Sequence, residues 1–147
     1  MHDLLKKIEQ EITEASSFQE ACGRAVSLLR RAGSHFNWVG IYLKKGDELI
    51  LGLWDGPEAT EHVRIPVGKG ICGLAARTGE TVVVDDVNTD SRYLACFPET
   101  QSEMVVPIYR NGIVIGEIDI DSNTKSAFSV ADQTLVERVA ELLGQCA

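Results

Sequence analysis

The chain has 147 residues, of which 44% are hydrophobic and 24% charged, proportions of a globular protein long enough to bury a sizeable core. A formal net charge of −8 and the lack of a basic patch argue against nucleic acid as a partner. No apolar run approaches the ~20 residues that cross a bilayer, and Met1-His2-Asp3-Leu4 opens no signal-peptide core, so the expected location is cytoplasmic, away from membranes.

In chain order, Leu4, Leu5, Ile8 and Ile12 recur at helical spacing. Ser17-Phe18-Gln19-Glu20 reads as a capping box that starts a second helix, with Phe18, Ala21, Cys22, Ala25, Val26 and Leu29 on one stripe and Gly33 as the stop. From Trp38 the period changes. Trp38 to Leu43 and Glu48 to Leu53 flank Lys44-Lys45-Gly46-Asp47 as a hairpin. A short strand ending at Pro66, a brief helix over 70–78 and a strand over 81–84 follow. Residues 85–101 form a long loop rich in turn formers, and loops of that length in compact folds are usually functional. Met104 to Tyr109 and Ile113 to Asp121 make the clearest hairpin, around Asn111-Gly112. A last helix, capped by Ser129, turns Leu135, Val136, Val139, Leu142 and Leu143 inward. This order predicts an α+β fold, one antiparallel sheet with helices packed on it, in a single unit over residues 1–147.

The four cysteines fit no zinc spacing, and a cytoplasmic chain is not expected to use them as a permanent disulfide framework. No metal and no cofactor is expected. Cys22 falls on an apolar helix stripe and reads as packing. Cys72, at Gly68-Lys69-Gly70-Ile71-Cys72-Gly73, opens a helix where the local positive charge, Lys69 and Arg64 could favour a thiolate, although for this residue alone buried packing is the preferred reading. Cys96 lies in the long polar loop, where packing explains less.

Asp119 and Asp121, with Glu117, share one face of a strand whose other face carries Val114, Ile118 and Ile120. Against apolar cross-strand partners such as Met104, Val106 and Ile108 these acids would hold protons tightly, which suits a proton donor or an ammonium site; a solvated outer face is the alternative. A plain two-residue turn puts Glu103 on the opposite face, unless a bulge, with Pro107 as a candidate, intervenes. Trp38 and Tyr42 are four apart and share a strand face, as sheet core or as a cage for methyl and sulfur groups. His35 and His62 have no patterned acid partner and read as surface residues.

Taken together, Asn37-Trp38-Val39-Gly40-Ile41-Tyr42, Val63-Arg64-Ile65-Pro66-Val67-Gly68-Lys69-Gly70-Ile71-Cys72-Gly73, Ala95-Cys96, Ser102-Glu103-Met104-Val105-Val106-Pro107 and Asp119-Ile120-Asp121-Ser122 resemble the free methionine-(R)-sulfoxide reductases, which are GAF-domain proteins. The resemblance implies a six-stranded antiparallel sheet with helices on one face and a ligand pocket on the other. It implies Cys96 as nucleophile, Cys72 as resolving thiol, Glu103, Asp119 and Asp121 as the acidic cluster, and Trp38 and Tyr42 around the substrate methyl group. Thioredoxin as reductant and a homodimer are further implications. The family usually has another cysteine just before the Val-Arg-Ile-Pro segment; His62 stands there, so Cys72 would resolve alone. A non-catalytic GAF sensor that binds a small molecule is the competing expectation.

Overall fold

The computed structural model describes residues 2–95 and 97–147, and of residue 2 the backbone alone. Helices α1 (His2–Thr13) and α2 (Phe18–Arg30) precede strands β1 (Trp38–Lys45), β2 (Glu48–Asp55) and β3 (Arg64–Pro66). Helix α3 (Gly70–Thr78), strand β4 (Val82–Val84), a 3₁₀ turn (Val87–Thr89), strands β5 (Ser102–Arg110) and β6 (Ile113–Ser122) and helix α4 (Val130–Cys146) complete the order. The six strands form one sheet in the order β3-β2-β1-β6-β5-β4, with every neighbouring pair antiparallel.

Alternation along the central strands splits the apolar residues between two cores. Val39 and Ile41 of β1, Met104, Val106 and Ile108 of β5, and Ile118 and Ile120 of β6 face α1, α2 and α4. Ile8, Ile12, Leu29, Val136, Val139 and Leu143 meet them from the helices, each 1% exposed or less. The other face carries a smaller cluster of Tyr42, Leu49, Ile65, Val84 and Val105, closed by Ile71, Cys72, Ala75 and Ala76 of α3. Three helices thus cover one face, and the short α3 covers part of the face that bears the site.

Local signals behaved unevenly. Ser129 and Asp132 form a complete capping box at α4. At α2 only half forms: Ser17 accepts from the Glu20 N–H, while the Glu20 carboxylate accepts from Ser16. Gly33 does not end α2, which stops at Arg31 in right-handed geometry. His35, read as unpartnered, bonds Asp132 at 2.9 Å and ties the β1 entrance to the start of α4.

Candidate active site

The central hairpin builds the acidic wall. Asn111 and Gly112 adopt φ of 53° and 77°, the left-handed turn that matches the twist of paired strands. Arg110 pairs with Ile113 and Tyr109 with Val114, but Ile108 then pairs with Gly116. Ile115 is therefore an extra residue in β6, and a bulge of one residue reverses the alternation beyond it. Glu103 consequently pairs with Asp121 and shares its face, contrary to the plain register. The bulge sits in β6 rather than at Pro107, which pairs with Glu117. The residues opposite the three acids are Glu103, Val105 and Pro107, whereas Met104, Val106 and Ile108 belong to the helix-side core.

Strand β1 supplies the other border. Trp38 pairs with Asp121, Gly40 with Asp119 and Tyr42 with Glu117, so both aromatic rings stand on the acid face. A β-carbon at Gly40 would collide with the Trp38 indole, so only glycine lets that ring lie across the strand. Trp38 stacks on Trp54 at 6.2 Å and meets Phe97 at 5.8 Å, and its Nε1 donates to the Glu58 carbonyl. Asn37 fixes the corner: its backbone N–H donates to the Asp121 carbonyl, and its Oδ1 accepts from the Asn123 backbone.

The acids are not a solvated face. Glu103 is 4% exposed, Glu117 0%, Asp119 1% and Asp121 2%. Both oxygens of Glu117 and of Asp121 and Oδ1 of Asp119 are buried without a hydrogen-bond partner among the described residues. Burial raises the proton affinity of Glu117 and Asp121 well above the ordinary carboxylate range, with the Asp119 charge adding to it. Asp119 is raised by burial as well, while Glu103 and Cys72 partly offset the effect by hydrogen bonding. An anion in an apolar enclosure loses its hydration, so burial favours the protonated form of these acids.

Cys72, on the first turn of α3, reaches into this cluster. Its Sγ lies 3.9 Å from Glu103 Oε2, and Cys72, Glu103 and Asp119 each offer one atom within 4.8 Å of the other two. Burial first, and then the charges of Asp119, Glu117, Glu103 and Asp121, push this thiol well above its usual value. The helix N-terminus and nearby bases do not make it a thiolate: Arg64 is engaged with Glu48, and Lys69 makes no side-chain cap. Cys22 is buried in the helix-side core, its thiol pushed up to about 12 by desolvation.

Cys96, the expected nucleophile, lies outside the described residues. Its chain neighbours border the site. Phe97 packs on Trp38, and the Ala95 carbonyl lies 2.8 Å from His62 Nε2. A carbonyl only accepts, so the imidazole donates. The His62 carbonyl in turn accepts from the Tyr42 hydroxyl at 2.8 Å. His62 is thus no idle surface residue. Sequence reading missed it because its imidazole bonds a main-chain oxygen and its carbonyl accepts from Tyr42, and a bond with the main chain at one end leaves no pattern of paired side chains. A pocket of about 250 Å³ opens between Trp38, Pro57, Phe97, Thr100 and Asp121, just under the ~300–1,000 Å³ typical of drug-sized ligands, as an amino-acid-sized guest would require. A larger groove of about 830 Å³ lies between the β5–β6 turn and α4 and contains no thiol.

Thiol, acids and aromatic wall together can pair a cationic amino group with an ionised carboxyl, enclose an apolar methyl and deliver a proton from a carboxyl that still holds one. Residues 15–146 match the family model described as GAF domain. The chain is 42% identical over 113 residues to free methionine-R-sulfoxide reductase of Saccharomyces cerevisiae, covering 74% of this chain and 62% of that protein. It is 34% identical over 141 residues to the Escherichia coli protein of the same name, covering 95% and 84%. The solved structure of free methionine-R-sulfoxide reductase from Neisseria meningitidis in complex with its substrate superposes with a TM-score of 0.91 at 34% identity, covering 98% of this chain and 86% of that one.

Proposed function

This chain belongs to the GAF-domain family, among the free methionine-R-sulfoxide reductases, and from that premise we propose that it reduces free methionine-(R)-sulfoxide to methionine through Cys96. The Cys96 thiolate attacks the sulfoxide sulfur. An acid among Glu103, Asp119 and Asp121 gives its proton to the departing oxygen, methionine leaves, and the oxygen stays on Cys96 as sulfenic acid. The Cys72 thiol then condenses with it, forming the S–S bond and releasing water. A dithiol reductant, thioredoxin by our reading, returns both cysteines to thiols.

One observation carries the assignment: a buried thiol, Cys72, lies among buried acids of raised proton affinity, on the side of the sheet that also carries the rings of Trp38 and Tyr42. The same observation divides the labour. A thiol held in the protonated form by burial first, and by the neighbouring acids second, is a poor attacking group and a suitable resolving one, because it is needed only after the sulfenic acid exists. Trp38 and Phe97 enclose the sulfur-methyl end, and Asp121 at the pocket floor takes the substrate ammonium. That charge requirement favours the free amino acid over a methionine within a chain. One GAF unit over residues 1–147, a homodimer and a cytoplasmic setting that keeps thiols reduced complete the proposal.

The test is direct. Racemic methionine sulfoxide is mixed with the protein and dithiothreitol, and methionine and the remaining R and S isomers are quantified. Selective loss of the R isomer is expected. Cys96→Ser abolishes product, while Cys72→Ser yields about one methionine per protein before stopping when thioredoxin is the only reductant. Equal multiple-turnover rates in wild type and Cys96→Ser would refute the reading. A tight small ligand without any product would instead favour a sensor.

A further inference from the structure

We propose that Cys72, Glu103 and Asp119 form a site for a thiophilic divalent cation of the zinc class, and that the metal blocks the reaction by occupying the thiol and the acids it uses. The inference rests on the reading of these side chains as the machinery of the reductase.

Geometry comes first. The three side chains belong to three different elements, α3, β5 and β6, and their ligand atoms lie within 4.8 Å of one another. Tetrahedral zinc with Zn–S near 2.3 Å and Zn–O near 2.1 Å needs sulfur and oxygen about 3.6 Å apart. The Cys72 Sγ to Glu103 Oε2 separation is 3.9 Å, so side-chain rotation of a few tenths of an ångström suffices there.

A second observation is independent of that spacing. Asp119 Oδ1 and both oxygens of Asp121 and Glu117 are buried without a hydrogen-bond partner among the described residues. Asp121 and Glu117 flank Asp119 on the same strand face. Buried polar atoms of this kind are normally paired, and the orphaned Asp119 Oδ1, on one of the three donors, marks a ligand place. A substrate ammonium brings one positive charge to four carboxyls. A divalent cation brings two and displaces their protons, together with the proton of the thiol, which leaves as the S–Zn bond forms.

Hard cations are a poor match. Calcium takes six to eight oxygens and magnesium a near-ideal octahedron, and a thiolate ligand selects against both. Spacing along the chain could not have shown the site, since its donors lie at residues 72, 103 and 119.

The experiment uses the Cys96→Ser protein, which lacks the proposed nucleophile and keeps all three donors. Zinc is titrated against a chromophoric chelator, and cadmium is titrated while the ultraviolet thiolate-to-metal band is followed. One tight equivalent with a thiolate band is expected. Cys72→Ser loses the band, and both Cys72→Ser and the near-isosteric Asp119→Asn weaken zinc by at least the ~10–100-fold that even an outer-sphere partner costs. Cys22→Ser with Cys146→Ser changes neither. In the wild-type reductase assay zinc should inhibit competitively with the sulfoxide, be reversed by chelator, and have no counterpart with calcium. Unchanged zinc affinity in Cys72→Ser, or no band, overturns the site. The two readings fail separately: methionine formed with no zinc effect removes only the metal site, and a tight zinc site without methionine formation removes only the reductase.

Discussion

At the scale of single residues, the buried carboxyls govern how the protein responds to pH. Burial raises the proton affinity of Asp119 and Asp121 in the folded state, whereas in the unfolded chain an aspartate ionises near pH 3.9. Above that value these two sites bind more protons in the native state than in the unfolded one, so their contribution to stability is greatest at low pH and declines as pH rises toward the raised native values. Asp121→Asn keeps the shape without the ionisation. Its melting temperature should match wild type near pH 4 and exceed it by a few degrees at pH 8, at about 2–4 °C per kcal/mol in a chain of this size. A wild type that gains on Asp121→Asn between those two pH values would contradict the raised proton affinity of the buried acid. The same acids should make single-turnover methionine formation decline on the alkaline side, as the proton donor is lost.

Among the elements, β6 and α4 position the site from opposite faces of the sheet. The single extra residue Ile115 brings Glu103 onto the acid face, a consequence of the two-residue period of a strand. Helix α4 must lie flat against β5 for that hairpin to keep its register, and Gly144 permits it. A β-carbon there would strike the Tyr109 carbonyl oxygen, which as backbone has nowhere to move. Gly144→Ala should therefore destabilise by about 1–3 kcal/mol, as overpacking does, despite its better helix propensity. Chemical denaturation of the purified variant measures it. A more stable variant would mean that α4 has slack on β5.

For the molecule as a whole, the site is a meeting of segments distant in sequence, and His62 is one of its joints. It links Tyr42 of β1 to the backbone of the long loop at Ala95, next to Cys96. His62→Ala should lower kcat by ~10–100-fold, the scale on which a slightly misplaced reacting group costs rate. KM and the melting point should move little, because no substrate contact or core packing is lost. His62→Gln, which can offer an amide donor to the same carbonyl, should recover part of the rate. An equal loss in both variants, or a KM effect alone, would show that the bond to Ala95 does not position the loop.

How much of this was legible from the residues depends on the range of the interaction that sets each feature. Helix α3 appears over the residues that its glycines and apolar spacing mark, and the Asn111-Gly112 turn forms where its left-handed dihedrals require it, because such signals act within a few residues. The face shared by Glu117, Asp119 and Asp121 follows from strand alternation alone. Glu103 could be placed only through its resemblance to known sequences, since one bulged residue inverts the parity and no local pattern announces it. The raised proton affinity of the acids, the thiol character of Cys72, the His62 bond to Ala95 and the grouping of Cys72, Glu103 and Asp119 from three elements were decided by tertiary structure. Proton affinity and ligation depend on which groups are buried together, and burial is a property of the assembled sheet rather than of any stretch of chain.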